Sequence, residues 1–172
     1  KHSASLDMKF NAFNIYSNSS YLNAKSDENS STFLRSYNRL VYNFKKAWVG
    51  TKIALEDNEQ RTNETNELTP ISQRFSSYDI FTGYGDSTKV YVEIGFKNRV
   101  NDSIRNNSLE RVNSSNTYYF RSKLIQSANS NLALFANYRT LKSKDDDTED
   151  EQSLNSRLQY NQKLFKQLIQ WN

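Results

Sequence analysis

Lys89-Val90-Tyr91-Val92-Glu93-Ile94-Gly95-Phe96-Lys97-Asn98-Arg99-Val100 is the stretch that decides how this chain is read. Val90, Val92, Ile94 and Phe96 recur at every second position. Tyr91, Glu93, Gly95, Lys97 and Arg99 fill the positions between them. A period of two places the first set on one side of an extended strand and the second set on the other. One side is therefore apolar and the other wet. The stretch is long enough to cross the hydrocarbon layer of a bilayer as a tilted strand, which takes roughly 9–11 residues. A short turn, Gly83-Tyr84-Gly85-Asp86-Ser87-Thr88, precedes it, and a long polar segment follows it.

The same plan extends in both directions. Toward the N-terminus, Ala4 to Lys25 reads as one long strand in which Leu6, Met8, Phe10 and Ala12 alternate with Asp7, Lys9 and Asn11. Phe13 and Ile15 break that alternation, which predicts a bulge or an early turn near Ser17–Ser20. Ser26 to Ser31 reads as a loop. Thr32 to Phe44 sets Leu34, Leu40, Tyr42 and Phe44 against Arg35, Tyr37 and Arg39. After a tight turn at Lys45-Lys46, Ala47 to Asp57 sets Val49, Thr51, Ile53 and Leu55 against Trp48, Gly50, Lys52, Ala54 and Glu56. Asn58 to Gln73 is charged, holds the single proline and reads as a loop. Phe75 to Tyr84 aligns Tyr78, Ile80, Thr82 and Tyr84.

Toward the C-terminus, Asn101 to Asn116 reads as a second long loop. Thr117 to Ser127 sets Tyr118, Phe120, Ser122 and Leu124 against Tyr119, Arg121 and Lys123. After a short turn at Ala128 to Asn131, Leu132 to Lys142 sets Leu132, Leu134, Ala136 and Tyr138 against Ala133, Phe135, Asn137 and Arg139. Ser143 to Gln152 is an acidic loop. Ser153 to Trp171 sets Leu154, Leu158, Tyr160 and Leu164 against Asn155, Arg157, Gln159 and Lys163. Leu164, Leu168 and Trp171 also fit a helical period, but strand is retained there.

The parse predicts an all-β, antiparallel up-and-down meander of about eight long strands in four hairpins. Long polar links follow the odd strands and short turns the even ones, so the long links gather at one edge. Bacterial outer-membrane barrels have this asymmetry. Aromatic residues crowd the strand ends: Tyr42, Phe44, Trp48, Phe81, Tyr84 and Tyr91 near the short turns, and Phe33, Tyr37, Phe75, Tyr78, Tyr118 and Tyr138 nearer the loops. Rings with a polar tip favour the bilayer interface, so two girdles are expected.

Composition agrees with this plan. The 172 residues suit one domain, taken as 1–172. Hydrophobic residues make up 35% and mean hydropathy is −0.89, low for a water-soluble core. Aromatics at 13% are too many for a disordered chain. The +4 net charge is spread along the chain without a basic run, so nucleic acid is not an expected partner. No cysteine is present, and the one histidine is His2, which leaves no material for the usual nucleophile–base sets or most zinc sites. No apolar run is long enough for a membrane helix. No catalytic residue, cofactor or metal site is expected. The acidic stretch Asp145-Asp146-Asp147-Thr148-Glu149-Asp150-Glu151 lacks the glycine and spacing of an EF-hand loop and reads as solvated. Asn18, Asn29, Asn63, Asn101, Asn106 and Asn113 each begin an Asn-X-Ser/Thr triplet, which chance alone provides in so Asn- and Ser-rich a chain.

The charged residues assigned to inward faces are Lys9, Arg35, Arg39, Lys52, Glu93, Lys97, Arg121, Lys123, Arg139 and Arg157. They would form a cation-rich pore wall, or the wet side of a soluble sheet. Trp48-Val49-Gly50, the run Gly85 to Gly95 and the Asn- and Tyr-rich loops resemble outer-membrane barrels of Bacteroidota. The texture is similar to the very large SprA-like barrels, the type IX secretion translocons. The resemblance implies a non-enzymatic pore or structural component of an outer-membrane transport or assembly complex. Its partners would be outer-membrane lipid and other subunits, and its location the bacterial outer membrane. The fold is expected to be a transmembrane β-barrel or part of a larger barrel; the missing start methionine and the Gln170-Trp171-Asn172 ending favour a wall segment of a wider one. The competing class is a soluble, surface-exposed β-sandwich that binds glycan or protein. A third is a β-rich hydrolase built on a carboxylate pair such as Asp79 and Glu93.

Overall fold

A computed structural model describes residues 1–86, 89–105, 107–127, 129–143, 150–164 and 167–171, with backbone alone considered for residues 105, 126, 164 and 167–171. The described residues form ten strands: β1 (His2–Phe10), β2 (Phe13–Lys25), β3 (Asn29–Phe44), β4 (Ala47–Thr62), β5 (Gln73–Gly85), β6 (Tyr91–Arg105), β7 (Ser108–Gln126), β8 (Ser130–Ser143), β9 (Glu151–Leu164) and β10 (Gln167–Trp171). They lie in one sheet in sequence order, each antiparallel to the next. The all-β meander read from the alternation is the fold.

Several boundaries differ from the sequence reading, each for a local reason. The first expected strand is two strands, with the turn at Asn11-Ala12 rather than near Ser17–Ser20. Asn11 takes a left-handed backbone, φ 54°. Asn tolerates that conformation better than most residues. Phe10 faces Phe13 and Met8 faces Ile15 across this hairpin. The apparent break in alternation is thus the parity change at a two-residue turn. The two long loops also shrink. Most of Asn58–Gln73 is strand, leaving 63–72 as the link. Asn101–Asn116 is the paired end of β6 and β7, whose turn includes Asn107, also left-handed. Backbone pairing there continues through polar residues that carry no apolar signal. At the C-terminal end, the expected single strand is β9 and β10, paired with each other.

Ten strands therefore replace the expected eight. The two longest links, 63–72 and that between β8 and β9, still emerge at the same edge. The acidic loop falls outside the described residues from Lys144 to Glu149. Asp150 lies 3.7 Å from the Lys142 ammonium. Ser87, Thr88, Asn106, Ala128 and Asn172 also fall outside.

The strands are long. β3 and β4 have 16 residues each, and β7 has 19. At about 3.4 Å per residue a 16-residue strand spans roughly 54 Å, well beyond a hydrocarbon layer of about 30 Å. The excess lies at the edge of the long links. There the 63–72 segment folds back along the sheet. The Ser72 hydroxyl accepts from the Gln60 amide at 2.9 Å and donates to the Gln60 carbonyl at 3.1 Å. The Asn63 side-chain amide donates to the Ser26 carbonyl at 2.7 Å, so a glycan on that nitrogen would displace a formed contact. The Asn107 side chain accepts from the Leu68 amide at 2.7 Å.

Candidate functional site

The register settles which residues share a face, because directly opposed residues point to the same side of a sheet. Val41, Gly50, Phe81, Gly95, Tyr119 and Asn137 are opposed in turn from β3 to β8. The same parity carries Lys9, Arg35, Arg39, Lys52, Glu93, Lys97, Arg121, Lys123, Arg139 and Arg157. Every charged residue assigned to the inward set thus stands on one face, the polar face.

The small buried core sits among these charges. It consists of Val41, Trp48, Phe81 and Tyr119, each under a tenth exposed. Three of them are rings laid over strand glycines: Phe81 over Gly50, Trp48 over Gly83 and Tyr119 over Gly95. A glycine within a strand marks a close approach. Here each one opens a gap through which a ring crosses its neighbour and reaches the strand beyond. Trp48 of β4 crosses β5 at Gly83, and its indole N–H donates to Glu93 of β6 at 3.3 Å. Tyr119 of β7 crosses β6 at Gly95, and its hydroxyl donates to Asp79 of β5 at 2.8 Å. Lys52 completes that group by donating to the other Asp79 oxygen at 3.1 Å, with its ammonium 4.5 Å from the centre of the Phe81 ring. Arg121 stands 3.9 Å from Glu93 and 4.6 Å from the Tyr119 ring centre. Asp79 and Glu93 are thus each held by their own cation and ring within the sheet.

The opposite face is apolar and open. It carries Leu6, Met8 and Phe10 on β1, Phe13 and Ile15 on β2, Leu40, Tyr42 and Phe44 on β3, and Val49 and Ile53 on β4. On the later strands it carries Ile80, Val92, Ile94, Phe120, Leu134, Leu154 and Leu158. Ile94 is 53% exposed, Leu158 56% and Phe10 70%. An open apolar groove of about 680 Å³ crosses this face between Val49 and Leu154. The band covers about four alternate positions on the central strands, from Tyr78 to Tyr84 on β5 and from Tyr118 to Leu124 on β7. At roughly 3.4 Å per residue that is about 20 Å along the strand.

Above the band, toward the long links, the same face turns polar. Asn98 donates to Asn116 at 2.8 Å, and Ser17 to Asn38 at 2.7 Å. Arg74 pairs with Asp57, whose hydrogen bond holds the guanidinium pKa above its ordinary value. At the boundary Tyr78, Phe96 and Tyr118 form a row with ring centres 5.9 and 5.1 Å apart, next to Tyr138. At the turn end Phe13, Tyr42 and Phe44 form another, 4.7 and 5.8 Å apart. Both aromatic rows are narrower than the sequence reading had them. Trp48, Phe81 and Tyr91, and likewise Phe33, Tyr37 and Phe75, belong to the polar face. There they pack with one another and with cations.

The described strands form a single sheet, and among the described residues no second sheet covers its apolar face. The sheet is also open among the described residues, since β1 and β10 are its two edges and are not paired with each other. Among the described residues no group of three metal-ligating side chains comes together. No protein-family model, curated protein or solved structure matches the chain.

Proposed function

We propose that this chain is a wall of an outer-membrane β-barrel, non-enzymatic, serving as a pore or as a structural component of an outer-membrane transport or assembly complex. The observation that carries the reading is the apolar band across β1 to β9, bounded by aromatic rows and backed by a charged face. Water gives such a band no partner, and exposed apolar patches beyond a few hundred Å² mark a covered surface. Lipid suits the interior strands because their backbone ladders are formed within the sheet. Aromatic rows at both limits of the band are the arrangement expected where hydrocarbon meets headgroups.

The polar face then looks into the barrel. Its cations suit an aqueous or partner-filled interior, and its rings and carboxylates hold the wall in shape. The test is partition. The refolded chain should be monodisperse only in detergent, and should float with phosphatidylcholine–phosphatidylglycerol vesicles and stay with them through alkaline extraction. A chain that is monodisperse in plain buffer and does not float is not a membrane wall.

A further inference from the structure

Where the polar face leaves the level of the apolar band, β3 to β6 form a hollow of about 280 Å³. Its lining includes Arg35, Tyr37, Glu56, Phe75, Lys97 and Arg99. Ala54 and Ser77, opposed on β4 and β5, make its floor small enough to leave the space. Arg35 is occupied, donating to Glu56 at 2.9 and 3.1 Å. Lys97 and Arg99 are not: among the described residues neither has a carboxylate at ion-pair distance. Asp79, which faces Lys97 across the sheet, is taken by Lys52 and Tyr119. Arg99 lies over the Phe75 ring, 5.4 Å from its centre, which fixes the guanidinium at the side of the hollow.

We propose that this hollow is a binding site for small multivalent anions carrying phosphate or carboxylate groups. Lys97 and Arg99 are two residues apart on one strand face, so their stems stand about 7 Å apart. That spacing lets one ligand engage a compact ammonium and a planar fork together, and the fork matches phosphate or carboxylate oxygens in pairs. Both cations are exposed at the rim of the hollow, so an anion reaches them directly from solvent and salt weakens the attraction. Glu56 limits the site to two free cations. In a barrel the hollow would stand at the mouth on the side of the long links, so the site's role rests on the function proposed above, while binding itself does not.

The test uses the full chain in detergent micelles, with inorganic pyrophosphate, citrate and the monovalent anion acetate titrated by calorimetry at low and high sodium chloride. Pyrophosphate and citrate should bind more tightly than acetate, and salt should weaken both. The double variant Lys97→Gln/Arg99→Gln should lose at least tenfold in affinity. Glu56→Gln, which frees Arg35, should gain several-fold, while Glu64→Gln, an equal charge change on the 63–72 link, should leave affinity unchanged. Equal binding by the double variant, or no preference over acetate, overturns the site. Of the two multivalent anions, the tighter binder identifies whether phosphate or carboxylate is the preferred group. Anion binding by a chain that needs no detergent would keep the site and remove the membrane reading; flotation without binding would do the reverse.

Discussion

At Gly95 the sheet depends on a missing side chain. A Cβ there would overlap the ring and hydroxyl of Tyr119. Gly95→Ala must displace that ring, break its hydrogen bond to Asp79 and leave Lys52 as the remaining partner of a largely buried carboxylate. Overpacking of this kind costs about 1–3 kcal/mol. Tyr119→Phe keeps the ring over the glycine and loses only the hydroxyl, at about 1 kcal/mol. Urea midpoints of the two variants in micelles should therefore fall in that order. A Gly95→Ala midpoint no lower than that of Tyr119→Phe would show that the ring has room to move. Part of this was legible in the sequence. Gly50 and Gly95 fell on the charged side of their strands, and a glycine inside a strand already signals close approach. The ring above each glycine was not legible, because it comes from a neighbouring strand and depends on register. Asp79 and Glu93 stood out only as a carboxylate pair, and their separate anchoring roles follow from the same cross-strand geometry.

At the scale of the strand, alternation was the strong signal and turns were the weak one. The face assignments for β3, β4, β5, β6, β8 and β9 follow directly from period two, as does β7 up to Lys123, where the register shifts before Ile125. The hairpins at Asn11 and at Asn107 went unread because the chain turns there without glycine or proline. The turn at Lys45-Lys46, which the sequence reading did predict, also lacks glycine and proline, and Lys45 has φ 54°. A lysine in that conformation is strained, and glycine is not. Lys45→Gly should raise stability by a few tenths to about 1 kcal/mol in the same urea titration, and a fall would mean that the lysine side chain contributes a contact there. The strand also offers the sharpest test of what covers the apolar face. Ile94→Arg near the middle of the band should cost about 2–4 kcal/mol if the surroundings are hydrocarbon. Asn116→Arg, on the same face above the aromatic row, should cost at most about 1 kcal/mol. Guanidinium titration in lipid vesicles measures both. Similar small values at the two positions would place water against the whole face.

At the scale of the molecule the open edges matter most. β1 is exposed along all nine residues, and its outward N–H and C=O groups meet no strand among the described residues. Each unpaired backbone group in hydrocarbon costs several kcal/mol, so a sheet with a bare edge cannot rest in a bilayer. A barrel removes the problem by closing on itself. If lipid covers the apolar face, β1 must therefore pair with a further strand, whether from β10 brought round, from more chain or from a second copy. Hydrogen exchange separates these conditions. The β1 amides that do not bond to β2 should exchange freely in any water-exposed form of the chain. In vesicles they should be protected to the same degree as those of β3 and β4 at the level of the band. Fast exchange of those amides in vesicles, with β3 and β4 protected, would mean that the edge stays wet. A strand with a wet edge beside Leu6, Met8 and Phe10 cannot lie in hydrocarbon, and the band would then have to be covered by protein instead.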